Sequence, residues 1–142
     1  MQAIVLVSGG FDPLHSGHIA LFNNAAKLGD KLVVAINSDK WLLRNKGSIL
    51  TPAIERHDII KNLRMVDQTL IFNDHDDTAC NAIELLRIHN PDRKIIFANG
   101  GNKSSENTPE MLKFESYSNI EFIFGIGGYE RKTIWDNNVF GY

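Results

Sequence analysis

Two histidines, His15 and His18, stand three positions apart in the stretch SGGFDPLHSGH (8–18), directly after an apolar run. Near pH 7 an imidazole can donate a hydrogen bond to a phosphate oxygen in either its neutral or its protonated form. Gly9 and Gly10 lack a Cβ, so the backbone there can come close to a ligand. These residue types indicate phosphate chemistry, which depends on positioning and charge stabilisation rather than on a covalent protein intermediate.

The same stretch is open to other interpretations. A dinucleotide site needs GxGxxG and a P-loop needs GxxxxGK[ST]; neither pattern occurs here, although Asp39 stands where a ribose-binding acid would. A metal site could use Asp12, His15 and His18, whose three-residue spacing suits one helical face. Glycine and proline interrupt that helix geometry, however. A turn whose histidines are merely exposed is the remaining alternative.

Apolar runs rich in β-branched residues alternate along the chain with helical patterns. Five strands are predicted from these runs, at 3–7, 32–36, 69–72, 94–98 and 121–124. Alternation of strands and helices is typical of a parallel sheet, because parallel strands need helical crossovers. We therefore expect an α/β fold: a single-domain, Rossmann-like, five-stranded parallel sheet with helices on both faces, spanning 1–142.

The predicted helices carry start signals at three places. Thr51-Pro52, Asp77 and Thr108-Pro109 are each expected to cap the helix that follows. Ligands of such sheets lie beyond the carboxyl ends of the strands, where the strand order reverses. The paired histidines follow the first strand, at the start of a helix whose unpaired N–H groups and dipole favour an anion.

Composition restricts the classes of partner. The chain has 142 residues, of which 43% are apolar and 23% charged, enough for one good core. Its net charge of −2 gives no attraction to nucleic acid or membrane. Cys80 is the only cysteine, so no internal disulfide forms. With no signal-peptide pattern and no apolar run near the roughly 20 residues that span a bilayer, we expect a cytoplasmic protein without nucleic-acid or membrane partners.

GGFDPLHSGH (9–18) resembles the first signature of the cytidylyltransferase-like nucleotidyltransferases, roughly G-x-F-D-x-x-H-x-G-H at a strand-to-helix turn. Segments 25–39, 64–72 and 97–101 are similar to that family's second strand, its R-x-V-D segment and its glycine-bearing turn after strand four. The resemblance covers about residues 3–102. Within the family, these segments resemble glycerol-3-phosphate cytidylyltransferase and the adenylyltransferase domain that makes ADP-heptose.

The resemblance implies transfer of CMP or AMP from CTP or ATP to a small phosphorylated polyol or sugar, with CTP expected first. Mg2+ would be held through the triphosphate and not by protein ligands. His15 and His18 would bind the triphosphate and stabilise the transition state, and Lys46 is the third catalytic candidate. The resemblance implies a homodimer, since the family is commonly dimeric. The predicted nucleotide-binding residues are Gly9, Gly10, Phe11, Asp12, Gly17, Asn99, Gly100, Gly127, Arg131 and Thr133. Asp12 would either meet the phosphates or organise the loop.

A local excess of positive charge lies between residues 40 and 64. Its basic residues are Lys40, Arg44, Lys46, Arg56, Lys61 and Arg64, against the acidic Glu55 and Asp58. Lys46, Arg44 and Arg56 are the candidates for the acceptor phosphate, although some of these charges could serve packing or dimer contacts. Arg56 and Arg64 are expected on one helix and could share a face.

The segment after the fifth strand departs from the family. Cytidylyltransferases read roughly R-T-x-G-I-S-T-T there, whereas this chain has GIGGYERKTIW (125–135). Gly127, Arg131 and Thr133 are possible substitutes. A non-catalytic nucleotide-binding module that has lost turnover therefore stays open, as does a dehydrogenase-like or metal-dependent enzyme. The acidic run NDHDD (73–77) could bind a cation or be a solvated loop with a helix cap.

Overall fold

A computed structural model describes residues 2–99 and 108–126. The strands are β1 (Ala3–Gly9), β2 (Lys31–Ile36), β3 (Gln68–Ile71), β4 (Lys94–Ala98) and β5 (Ile120–Ile123). The helices are α1 (Ser16–Ala26), α2 (Asp39–Lys46), α3 (Ala53–Lys61), α4 (Cys80–His89) and α5 (Pro109–Phe114). All five strands are parallel, in the order β3-β2-β1-β4-β5. This confirms the predicted α/β fold, with strand ends within two residues of those expected.

Two apolar layers sandwich the sheet. Adjacent residues of each central strand alternate between them, so that Leu6 packs on the α4 and α5 side while Val5 and Val7 pack on the α1 and α3 side. Phe22 of α1 and Phe114 of α5 are fully buried in their respective layers. Both faces of the sheet are therefore covered, as a parallel sheet requires.

The strand order reverses at β1. The chain runs outward from β1 through β2 to β3, then crosses back to β4 and β5 on the other side of β1. Leu6 of β1 is paired with Phe97 of β4, so Val7 is level with Ala98 at the end of β4, and β1 continues two residues further, to Gly9. Ligands of open α/β sheets bind at such a reversal, and the paired histidines follow β1.

Helix α2 was not predicted from the sequence. Ser38 precedes it, and its Oγ accepts a hydrogen bond from the Trp41 N–H at 3.1 Å. Gly47 ends the helix in the left-handed conformation, with φ of 81°. A serine before and a glycine after the segment are ordinary helix-end signals. The segment between them is short and mostly polar, and Leu42 is its one buried residue, so an apolar pattern does not indicate this helix.

The predicted cap of α3 is wrong. Pro52, not Thr51, occupies the cap position, and it makes no side-chain cap bond. A carboxylate from another helix replaces the local cap, because Asp39 Oδ1 accepts from the Ala53 N–H at 2.8 Å. The start of α3 is thus fixed by a hydrogen bond to a residue of α2.

The other two predicted caps had different outcomes. Ala79 precedes α4 without a side-chain cap bond, so the prediction of Asp77 as the cap of that helix is wrong. Thr108 caps α5 as predicted, with Oγ1 accepting from the Met111 N–H at 3.2 Å and proline at the first helical position. In the described part of the chain, no helix is both long and apolar enough to traverse a bilayer.

Candidate active site

The turn between β1 and α1 is shaped by Phe11. This residue has a φ of 52°, in the left-handed region that bulky side chains rarely adopt. Its buried ring meets the rings of His18 and Phe22 edge-on, with centroids 5.1 and 5.2 Å apart. A Cβ at Gly9 would lie 2.9 Å from the Phe11 ring. Gly9 therefore makes room first for Phe11, which packing holds in its unfavourable conformation.

Gly10 approaches α2 closely. A Cβ there would lie 3.0 Å from Leu42 Cδ2 and 3.4 Å from the Trp41 ring. The Gly10 carbonyl accepts a hydrogen bond from Arg56 at 2.8 Å. Both neighbours constrain the path of the backbone, so a larger residue would displace the turn from α2.

The two histidines hold each other and the helix start. His15 precedes α1, and its Nδ1 accepts from the Gly17 N–H at 3.1 Å. The His18 Nδ1 accepts from the backbone N–H of His15, also at 3.1 Å. This is a reciprocal capping arrangement made by imidazoles. The rings are stacked, with centroids 3.9 Å apart and 27° between their planes.

The electrostatics of the pair favour neutral rings. Burial lowers the pKa of His15. Burial, and then repulsion from His15, lower the pKa of His18 to about 4. Because each Nδ1 accepts a hydrogen bond, each neutral ring carries its proton on Nε2. At pH 7 the pair thus presents two Nε2–H groups, and an approaching phosphate would raise both pKa values through its negative charge.

Three N–H groups near the start of α1 are bonded within the turn. The Gly17 N–H donates to His15 Nδ1, and the N–H groups of His18 and Ile19 donate to the His15 carbonyl at 2.9 and 3.2 Å. For Gly17, His18 and Ile19 the structure therefore differs from the expectation of unpaired N–H groups at this helix start.

Asp12 organises a loop. Its Oδ2 accepts from the Leu50 N–H and its Oδ1 from the Thr51 N–H, each at 2.7 Å. Of the two roles expected for Asp12, this structure shows the loop-organising one. Within residues 2–99 and 108–126, no group of three His, Cys, Asp or Glu side chains is placed to hold a metal, which contradicts the metal-site alternative.

Arg56 lies at the centre of this side of the site and is only 2% exposed. Its guanidinium donates to the carbonyls of Thr51, Gly10 and Asn37 at 2.7–2.8 Å, and to Asp39 Oδ1 at 2.8 Å. It therefore joins the turn between β1 and α1, the end of β2 and the loop before α3. A direct contact with a substrate phosphate would require Arg56 to leave these partners, so its placement is that of a positioning residue.

The two candidates on α2 are more accessible. Arg44 forms an ion pair with Asp77 at 3.0 Å and donates to the Asp74 carbonyl at 2.8 Å. Lys46 is exposed on the last turn of α2, directly before Gly47. Of the three candidates for the acceptor phosphate, Lys46 is thus the one that no ion pair or side-chain hydrogen bond holds among the described residues.

The remaining basic residues do not converge on the turn. Helix α3 ends at Lys61, so Arg64 lies beyond it, and the expectation that Arg56 and Arg64 share one helix is wrong. Lys61 pairs with Asp58 at 3.4 Å. The cationic segment seen in the sequence is therefore divided between a buried arginine and separate surface charges.

Asp74 is a residue whose role the sequence did not reveal. It is 3% exposed, and its carboxylate accepts from Asn37 Nδ2, the Ser38 N–H and the Ser38 Oγ at 2.7–2.9 Å. It thereby fixes the join between β2 and α2, 36 residues earlier in the chain. Its position in an acidic run suggested a solvated loop or a cation site. The only signal for its true role is that polar groups after a buried strand need partners.

Asn99 marks the other side of the reversal. It follows β4, its N–H donates to the Ile123 carbonyl at 2.8 Å, and its carbonyl accepts from the Ile126 N–H at 3.3 Å. The remaining predicted nucleotide contacts lie outside the described residues: Gly100, Gly127, Arg131 and Thr133.

Known proteins are similar to this chain in sequence. A family model described as cytidylyltransferase-like matches residues 6–116. The bifunctional protein HldE of Hahella chejuensis is 38% identical over 118 residues, covering 82% of this chain and 23% of that protein. HldE of Pelobacter propionicus is 35% identical over 137 residues, covering 94% and 26%. The chain thus spans about a quarter of the length of these curated relatives.

Solved structures share the fold. The lipopolysaccharide core biosynthesis protein from Thermoplasma volcanium superposes with a TM-score of 0.68 at 25% identity, covering 87% of this chain and 96% of that one. The NadR protein in complex with NAD and AMP-PNP gives 0.64 at 19% identity, covering 98% and 42%. The NadR similarity concerns the fold alone.

Proposed function

Since this chain belongs to the cytidylyltransferase-like family of nucleotidyltransferases, we propose that it transfers AMP from ATP to the phosphate of a small sugar phosphate. The observation that carries this choice is the similarity to HldE proteins, which contain an ADP-heptose adenylyltransferase domain, over up to 94% of the chain. A heptose 1-phosphate type of acceptor is therefore favoured over glycerol 3-phosphate. The order of nucleotides expected from the sequence is reversed, with ATP before CTP.

In the proposed reaction an oxygen of the acceptor phosphate attacks the α-phosphorus of ATP. The bond between the α-phosphorus and the bridging oxygen breaks, and pyrophosphate leaves with the electron pair. His15 and His18 would donate from Nε2 to phosphate oxygens whose negative charge is being redistributed. Their Nδ1 atoms are held by backbone N–H groups, so the donors are oriented before the substrate arrives, as charge stabilisation requires.

The acceptor would enter on the α2 side. Asp12 ties the loop before α3 to the catalytic turn, and this loop directly follows the last turn of α2, where Lys46 is exposed. We propose that Lys46 binds the acceptor phosphate and that Arg44 assists it. Gly9, Gly10 and Phe11 then shape the turn.

Mg2+ is the proposed cofactor, and it would supply charge neutralisation on the triphosphate. Asp12 spends both carboxylate oxygens on backbone N–H groups, and the described residues include no three-ligand cluster. These observations support binding of the ion through triphosphate oxygens. The homodimer and the cytoplasmic location stay predictions.

Pyrophosphate release tests the proposal. The protein would be mixed with Mg2+ and either ATP or CTP, and with either heptose 1-phosphate or glycerol 3-phosphate. We expect the fastest release from ATP with the sugar phosphate. The variant His18→Ala should lower kcat by about 10²-fold or more, whereas His89→Ala, exposed at the end of α4, should not change it.

Each other outcome has a defined meaning. Faster release from CTP with glycerol 3-phosphate would replace the adenylyltransferase proposal by a cytidylyltransferase. Nucleotide binding without release from any pair would support a non-catalytic module. Failure to bind either nucleotide would overturn both.

A further inference from the structure

One short turn after β3 holds both ends of α2. The Asp74 carboxylate accepts from the N–H and the Oγ of Ser38, directly before the helix, at 2.8 and 2.7 Å. At the other end, Asp77 Oδ1 accepts from Arg44 Nε and Nη2 at 3.3 and 3.0 Å and from Asn45 Nδ2 at 3.0 Å. The turn that carries these two acids therefore spans the helix.

The backbone of this turn directs Asp77 towards α2. Its N–H donates to the Asp74 carbonyl at 2.9 Å, and its φ is 63°, in the left-handed region. Aspartate is among the few non-glycine residues that adopt this region. The Asp74 carbonyl also accepts from Arg44 Nη2 at 2.8 Å, so two oxygens of the turn hold one guanidinium. Hydrogen bonds from Asn45 and Arg44 lower the pKa of Asp77, which keeps its carboxylate charged at neutral pH.

The last turn of α2 depends on these polar contacts. Leu42 is the one buried residue of the helix, and residues 43–46 are all exposed. A short helix end without buried apolar contacts is prone to fray. Four residues beyond Lys46, the Leu50 N–H is held by Asp12. Lys46 therefore lies between two fixed points of the chain.

We propose that Asp77 is a positioning residue for the acceptor: by fixing Arg44 and Asn45, it holds the end of α2 where the Lys46 ammonium meets the acceptor phosphate. Asp77 itself does not touch the substrate. A long, flexible lysine side chain binds better from a fixed base, because less freedom has to be lost on binding. This inference rests on the proposed function, because it requires a phosphorylated acceptor at Lys46.

Two variants of neighbouring acids test it, Asp77→Gly and Asp76→Ala. Glycine adopts a positive φ without strain, so Asp77→Gly loses the carboxylate and keeps the turn. Asp76 is the matched control, because its Oδ1 accepts from the Thr78 N–H and Oγ1 at 3.0 and 2.9 Å and not from α2.

Pyrophosphate release would be followed with Mg2+, ATP and heptose 1-phosphate. In Asp77→Gly the KM for the sugar phosphate should rise about 3- to 10-fold, because the ammonium is no longer held in place. Its kcat and its KM for ATP should change by less than about 2-fold. Asp76→Ala should behave as the unmodified chain does.

A second substitution shows whether Asp77 acts through Lys46. In a Lys46→Ala background, Asp77→Gly should raise the same KM by less than about 2-fold further, because the group that it positions is gone. Asp77 is exposed, so a cooperative urea transition is expected for Asp77→Gly. If that variant does not fold, Asp77→Asn replaces it, with a rise of about 2- to 3-fold because a neutral acceptor oxygen remains.

An unchanged KM for the sugar phosphate in the Asp77 variant, or an equal rise in Asp76→Ala, would overturn the inference and leave the proposed function intact. A lowered KM would show that Asp77 competes with the phosphate for Arg44, and it would also overturn the inference. The same holds for a full further rise in the Lys46→Ala background. If the unmodified chain releases no pyrophosphate from either nucleotide with either acceptor, the proposed function fails and this inference fails with it.

Discussion

The two sides of β1 differ in how their polar groups are satisfied. On the β2 side, Arg56 and Asp74 are buried and bonded to several backbone and side-chain partners. On the β4 side, in the described part of the chain, Asn99 keeps a buried donor without a partner. The contrast teaches that the β2 side holds the turn between β1 and α1 through its own polar groups, whereas the buried amide of Asn99 finds no partner among the described residues.

The acids on the β2 side act as internal tethers. Asp12 holds the loop before α3, Asp39 holds α3 and Arg56, and Asp74 holds the join between β2 and α2. Each of these carboxylates accepts at least two hydrogen bonds from the protein. These three acids, for which the sequence allowed contacts with a ligand or a cation, thus serve the scaffold.

Substitution of Arg56 should have the largest effect on the β2 side, because its side chain bonds to more polar groups there than that of any other residue discussed above. In Arg56→Ala three carbonyls and one carboxylate lose their donor, and a buried volume is vacated. We expect the free energy of unfolding, measured by urea denaturation, to fall by about 3–5 kcal/mol. Arg64→Ala removes an exposed arginine just beyond α3 and should change it by less than about 0.5 kcal/mol.

If Arg56→Ala does not fold, Arg56→Lys keeps the charge but lacks the forked donors, and it should be intermediate in stability. Equal stabilities for Arg56→Ala and Arg64→Ala would show that the β2 side is not held by this arginine.

The second largest effect is expected from acid, which should lower the stability of the fold through His18 in the turn between β1 and α1. The folded state lowers the pKa of His18 from 6.5 to about 4, so between these values the unfolded chain binds a proton that the folded chain does not. Stability is therefore complete above pH 6.5 and falls as the pH drops towards 4, by about 2–3 kcal/mol. Urea denaturation at several pH values measures this slope.

A matched pair isolates His18 in that slope. In His18→Asn an amide oxygen can accept from the His15 N–H but does not titrate, so the slope between pH 6.5 and 4 should flatten. His89→Asn should keep it, because His89 is exposed at the end of α4. An unchanged slope in His18→Asn would assign the acid sensitivity to other groups.

The smallest change in stability is expected for substitution of Asp12, and it tests whether this residue organises the loop or contacts the phosphates. Asp12→Asn keeps one acceptor oxygen and places an NH2 group against a backbone N–H, so about 1–2 kcal/mol of unfolding free energy should be lost. The KM for the acceptor should rise more than kcat falls, because the loop near Lys46 is loosened. Asp92→Asn serves as the control, because Asp92 is exposed between α4 and β4. A fall in kcat alone in Asp12→Asn would favour a direct role of Asp12 at the phosphates.

Local patterns in the sequence were sufficient for the strands and for the turn with its histidines. β-branched runs mark buried parallel strands, and His15, Gly17 and His18 lie within one short segment. Contacts between distant segments could not be predicted in this way. Arg56 bonds to a carbonyl 46 residues away and Asp74 to an asparagine 37 residues away. No spacing rule links such pairs, because the packing of the whole sheet brings them together.

The hydrogen bonds of Arg56 limit whether the stretch 8–18 could be transferred to another protein and keep its conformation. The carbonyl at Gly10 is held by a residue of α3, and Asp12 takes its two donors from the loop before that helix. The stretch 8–18 therefore does not determine its own shape. If these eleven residues were placed on another parallel sheet that lacks α3 and its preceding loop, both histidines would be present. The hydrogen bonds that fix the backbone of the turn, and with it the orientation of the rings, would be missing.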